Sequence, residues 1–157
     1  LLVLGARVTV AGPGGRRTVA LEGAFQKRFP KDEMVVSVEV DAPPARSGSS
    51  FYKYMARQAL EIPTVNTAAR VTLGNDGTCA GARVCVGAVS WKPILLDLKE
   101  LAGQRLSEDL LRKSIQNVRS LAEPMSDVRG SAAYKREMAV EFAYRALATA
   151  WKRCADK

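Results

Sequence analysis

Lys53 stands among three aromatic residues, Phe51, Tyr52 and Tyr54, a grouping of the kind that can hold a planar heteroaromatic ring. Aromatics on one strand are also an ordinary sheet-packing set, and a strand-edge lysine is also an ordinary solvated charge. Asp127-Val128-Arg129-Gly130-Ser131 offers an acid and a base, but its place before a long helical segment points to capping and a turn-stabilising ion pair. Gly12-Pro13-Gly14-Gly15 is the only glycine-rich cluster. A phosphate cradle needs a helix directly after the glycines, with Lys-Ser/Thr or GxGxxG spacing, and a hairpin turn fits these residues better.

Several chemistries are removed by composition. There is no histidine, so the commonest general base and every Ser–His–Asp or Cys–His arrangement are lacking. Cys79, Cys85 and Cys154 have no CxxC spacing, which argues against a zinc or iron–sulfur site and fits a reduced, cytoplasmic protein. The net charge of +8 is dispersed in pairs such as Arg16-Arg17, Arg112-Lys113 and Lys152-Arg153, the pattern of a solvated surface more than of a nucleic-acid footprint. No apolar run reaches the ~20 residues of a transmembrane helix. Opening on Leu1 mid-strand, the chain is expected to be a fragment or a processed product.

At 157 residues, with 47% hydrophobic and 25% charged residues, the chain can bury one ordinary core or one core plus an appendage. The alternation of Leu4, Ala6, Val8 and Val10 predicts a strand, with Arg17–Leu21 returning after the glycine turn. Met34–Val40 reads as another strand, and 41–50 (DAPPARSGSS) as a linker. Strands are expected at Phe51–Arg57, Asn66–Leu73 and Ala82–Val89, the last two joined by the turn Gly74-Asn75-Asp76-Gly77. A short helix is expected around Leu95–Leu101, ending at Gly103. Ser107 caps a helix of about four turns through Leu111, Ile115, Val118 and Ala122 to Pro124. A second helix carries Tyr134, Met138, Phe142 and Ala146 on one face, beside Ala139, Ala143, Leu147 and Ala150. Strands followed by helices define an α+β class, an antiparallel sheet packed against C-terminal helices, with no βαβ dinucleotide crevice.

Three separated strings carry a family resemblance: Glu61-Ile-Pro-Thr-Val-Asn-Thr-Ala-Ala-Arg-Val-Thr-Leu73, Ala82-Arg-Val-Cys-Val-Gly-Ala-Val-Ser-Trp-Lys-Pro93 and Ser126-Asp-Val-Arg-Gly-Ser-Ala-Ala-Tyr-Lys-Arg-Glu-Met138. In this order and spacing they resemble the C-terminal domain of the FAD-binding (medium) subunit of molybdenum hydroxylases, the carbon monoxide dehydrogenase and xanthine dehydrogenase type. Arg145–Cys154 most resembles the carbon monoxide dehydrogenase branch. Residues 50–157 would then be the flavoprotein C-terminal domain, and residues 1–45 a β remnant of the FAD-binding domain.

The resemblance implies that FAD is shared with an N-terminal half not present here, which grips its pyrophosphate. It implies an iron–sulfur small subunit with [2Fe-2S] clusters and a molybdopterin large subunit as partners, with electrons passing through FAD to an external acceptor. Lys53 matches a lysine that lies at the flavin, and Met34 and Val35 match apolar positions near the isoalloxazine, although both are also expected in the core. No catalytic side chain, protein-held metal or nucleic-acid partner is implied. The alternatives are a non-catalytic protein-interaction module derived from such a subunit and, further off, a basic nucleic-acid-binding domain.

Overall fold

The computed structural model describes residues 1–26, 29–57 and 61–155. The chain divides between Pro43 and Pro44 into two compact units. In the first, a 3-10 turn at Leu2–Leu4 is ended by Gly5 in the left-handed region, so Leu4 belongs to a turn and not to a strand. Strands β1 (Arg7–Gly12) and β2 (Gly15–Ala20) form an antiparallel hairpin whose register closes Gly12 on Gly15. Gly15 has φ +96°, a conformation that a Cβ disfavours. Helix α1 (Leu21–Gln26), which the sequence pattern did not mark, follows directly. Strand β3 (Met34–Glu39) pairs with the other side of β1, giving the order β2-β1-β3. Val3, Ala6, Val8 and Val10 are buried here.

The second unit is a four-stranded antiparallel sheet, order β4-β5-β6-β7, covered on one face by a long helix. Strands β4 (Ser47–Tyr54), β5 (Val65–Leu73) and β6 (Cys79–Gly87) are long; β7 (Ile94–Asp97) is short. Along β5, Val65, Thr67, Ala69, Val71 and Leu73 are buried while the intervening residues are half-buried, the period-two mark of a sheet with one packed face. Val84 and Val86 of β6 and Ile94 and Leu96 of β7 join that core. The β5–β6 connection is the expected turn: Asp76 Oδ1 accepts from the Thr78 amide at 3.0 Å and from its hydroxyl at 2.8 Å, with Gly77 at φ +78°.

Helix α4 (Ala132–Ala155) supplies the opposing wall. Its Ala139, Ala143, Ala146, Leu147 and Ala150 are fully buried, whereas Tyr134 lies at the margin. Small residues bring helix and sheet close. Ser50 Oγ donates to the Ala146 carbonyl at 2.6 Å and Thr67 Oγ1 to the Phe142 carbonyl at 3.0 Å. A Cβ at Gly48 would run into the Ala150 carbonyl oxygen. Ser47–Ser50 are therefore strand, not linker: their small side chains make room for α4, and only the stretch before Ser47 connects the units.

Two other expectations are corrected. Residues 95–97 are not helical. Pro93 precedes a strand in which Ile94 and Leu96 face the core, and only Lys99–Leu101 form a 3-10 turn before left-handed Gly103. The helix of four turns is two pieces, α2 (Glu108–Ser114) and α3 (Val118–Leu121). The Ser107 hydroxyl caps α2 by accepting from the Leu110 amide. Between the pieces Ser114 Oγ donates to the Leu111 carbonyl and Gln116 Nε2 to the Arg112 carbonyl. Such side-chain bonds compete with regular helix, and the break leaves Leu111, Ile115, Val118 and Ala122 all buried.

Candidate functional site

Strand β4 lies at the edge of its sheet, and alternation sends its neighbouring side chains to opposite faces. Ser50, Tyr52 and Tyr54 turn toward α4. The Tyr52 hydroxyl shares a hydrogen bond with Thr149 Oγ1 at 2.9 Å, and the Tyr54 ring stacks on Phe142 at 4.7 Å between centroids. The Tyr54 and Tyr134 hydroxyls are 2.7 Å apart, and this bond raises the Tyr134 pKa. The two tyrosines are thus anchors of the helix–sheet interface. Phe51 and Lys53 occupy the other face, where both are exposed. Among the described residues the Lys53 ammonium has no hydrogen-bond or ion-pair partner.

Met34 and Val35 begin β3 in the first unit, opposite Ala11 and Val10 of β1. They are 70% and 45% exposed, which corrects the expectation that they lie in the core. The reason is topological, since β3 is an edge strand of a three-stranded sheet. Consecutive strand residues point to opposite faces, so a flat ring would meet both side chains only along the outer edge of the strand.

The Asp127 motif is a structural knot. Asp127 Oδ2 pairs with Arg129 at 2.7 Å, while Oδ1 takes the Arg129 amide at 2.8 Å and Lys135 Nζ at 2.7 Å. The buried Lys135 also donates to the Met125 carbonyl at 2.8 Å. Lys135, then the Arg129 amide, hold the Asp127 carboxyl below its ordinary range. Ser131 Oγ accepts from the Tyr134 amide at the start of α4. Every acid and base of this motif is engaged in shaping the turn, as the sequence reading expected. The burial of Lys135 was not foreseen; its spacing eight residues after Asp127 is the only trace of it in the sequence.

The remaining candidates hold little chemistry. Burial pushes the Cys85 thiol up to about 11 and raises Cys79 as well, so neither is a thiolate at neutral pH. Among the described residues no cluster of His, Cys, Asp or Glu side chains could hold a metal ion. No helix there is long and apolar enough to cross a membrane. The Gly12–Gly15 turn leads into β2 and not into a helix, so it aims no helix N-terminus at a phosphate. What the surface does offer is an unpaired cation beside an exposed aromatic on one sheet face. Such a pair suits a planar ring that carries or gains negative charge.

This architecture of an antiparallel sheet under a long C-terminal helix defines a known class, and residues 50–150 match the CO dehydrogenase flavoprotein C-terminal domain. The chain belongs to that family. It is 28% identical over 155 residues to the carbon monoxide dehydrogenase medium chain of Hydrogenophaga pseudoflava, covering 96% of this chain and 54% of that one. It is 30% identical over 146 residues to the glyceraldehyde dehydrogenase medium chain of Sulfolobus acidocaldarius, covering 88% and 50%. Among solved structures, carbon monoxide dehydrogenase from Hydrogenophaga pseudoflava superposes with a TM-score of 0.89 at 27% identity, over 98% of this chain and 55% of that one. The chain therefore spans about half the length of the relatives it matches.

Proposed function

We propose that the chain is the C-terminal part of the FAD subunit of a molybdenum hydroxylase. In this reading residues 1–45 end the FAD-binding domain and residues 50–157 form the C-terminal domain. An iron–sulfur small subunit and a molybdopterin large subunit are its partners in the cytoplasm. Bound there, FAD would supply a two-electron store between [2Fe-2S] clusters and an external acceptor. The observation that carries the reading is the unpaired Lys53 on an exposed sheet face, inside a family match that covers most of the second unit.

This chain's residues fit one end of such a coenzyme. Lys53 would hold the ring edge where reduction adds negative charge; taken by itself, the first unit offers Met34 and Val35 as exposed apolar surface. A glycine turn that opens into a strand fits no pyrophosphate, so that grip falls to other parts of the subunit. The test is to purify the full-length subunit alongside residues 1–157 and measure flavin by absorbance. The full-length protein is expected to carry FAD and the shorter chain to carry none. FAD retained by the shorter chain, or lacking in the full-length subunit, would contradict the reading.

A second reading, a non-catalytic interaction module, draws on Trp91, Met125 and Val128, which are 85%, 83% and 101% exposed. The Glu123 amide donates to the Val89 carbonyl, so the loops bearing these side chains are tied together. A module of this kind would bind its partner subunits with no flavin present in the full-length protein.

A further inference from the structure

Lys53, Asn66 and Gly87 form one row across three strands. Lys53 is directly opposite Asn66 in the β4–β5 register, and Asn66 is directly opposite Gly87 in the β5–β6 register. All three lie on the face away from α4, because their neighbours Tyr52, Tyr54, Val65, Thr67 and Val86 face the helix. Directly opposed residues hold their Cβ atoms ~4.5–5.5 Å apart. Phe51 follows on the same face, two residues from Lys53, and is 65% exposed.

The Asn66 carboxamide has no protein hydrogen-bond partner among the described residues. A Cβ on Gly87 would stand 2.5 Å from Asn66 Oδ1 and 3.2 Å from Asn66 Nδ2. The amide therefore lies over the gap that glycine leaves. An ammonium only donates hydrogen bonds, whereas a carboxamide both donates and accepts. Lysine and asparagine side by side, both unpartnered, thus supply charge and a two-way hydrogen-bonding group at one level of the sheet, with an aromatic surface next to them. That set complements the edge of a planar heterocycle on which carbonyl oxygens alternate with a ring N–H.

We infer that Asn66 is a second polar contact for the isoalloxazine ring, given room by the missing side chain of Gly87, with Lys53 as its charged neighbour. The inference rests on the flavin reading above. Lys53 sets how readily the ring accepts electrons; Asn66 sets how tightly and in which orientation the ring edge is held.

The experiment uses the FAD-loaded full-length subunit and its Asn66→Ala, Asn66→Asp, Gly87→Ala and Lys53→Met variants. FAD affinity is read by titration of the deflavinated protein, the two-electron potential by dye equilibration, and folding by thermal melting. Asn66→Ala is expected to weaken FAD about tenfold, the loss of one or two hydrogen bonds, with unchanged melting of the deflavinated protein. Gly87→Ala should weaken FAD similarly by displacing the carboxamide. Asn66→Asp, which places a carboxylate beside the reduced ring, should shift the redox equilibrium about tenfold toward oxidised flavin, ~30 mV for a two-electron couple. If Asn66→Ala and Asn66→Asp leave affinity and potential unchanged while Lys53→Met lowers the potential, the Asn66 contact is overturned and the flavin reading survives. If Lys53→Met is silent too, both fall. If Asn66→Ala lowers the melting of the deflavinated protein, its role is structural and the inference is again overturned.

Discussion

A buried lysine is tolerated only when its charge is matched, and Lys135 shows what the match achieves. Its ammonium joins the Asp127 carboxylate and the Met125 carbonyl, so the turn before α4 is closed by a side chain from the helix itself. Replacing Lys135 with Met should destabilise the fold by about 1–3 kcal/mol, because a carbonyl and a carboxylate lose a charged donor; a urea denaturation curve measures this. Asp127 adds a pH dependence of definite sign. Its folded pKa lies below the ordinary value, so its stabilisation is present above the unfolded carboxylate pKa of ~3.9 and is lost as pH falls through the folded value. Asp127→Asn is expected to be less stable than the parent at neutral pH and to lose less on acidification, with the two melting curves converging as the pH falls below about 4. Parallel curves would show that Asp127 contributes nothing to the acid response. At this scale Lys53 was singled out by the family resemblance, which matches it to a lysine at the flavin. The sequence was silent about Asn66, whose opposition to Lys53 exists only once the register of β4 on β5 is known.

Elements were legible where local chemistry decides them. The Ser107 cap, the Gly74–Gly77 turn and the strand at Asn66–Leu73 are each made by a few adjacent residues, so they could be read without the fold. Where the partner decides, the pattern failed. Ile94–Asp97 is too short to show a period, and it is extended because β6 offers it a ladder. Ser47–Ser50 look like a flexible linker in composition, yet they are strand because α4 must approach closely over them. That account predicts that Gly48→Val destabilises the domain by about 1–3 kcal/mol through overpacking, whereas valine in a linker would be neutral. The midpoint of guanidinium unfolding separates these outcomes. Ser107→Ala should cost about 1 kcal/mol by removing a helix cap, read by the same assay.

For the whole molecule, the two units differ in what they bury. The large apolar cluster runs from Val65 to Cys154 and lies wholly in the second unit. Among the described residues the first unit buries Val3, Ala6, Val8 and Val10, and the aliphatic residues of β3 remain exposed. Small sheets with so little apolar burial are marginal in water. Residues 44–157 expressed alone are therefore expected to melt cooperatively by circular dichroism, and residues 1–43 alone to show no transition. Several surface arginines are matched by carboxylates, as in Arg7–Asp41, Arg17–Glu33 and Arg119–Glu137. The measurement that bears most directly on the molecule's role is the reduction potential of FAD in the full-length subunit with Lys53 replaced by methionine. The proposal that Lys53 stands beside the ring predicts a fall of ~30 mV or more on its loss, a tenfold change for two electrons. A potential equal to that of the parent protein would mean that this face of the sheet does not meet the flavin.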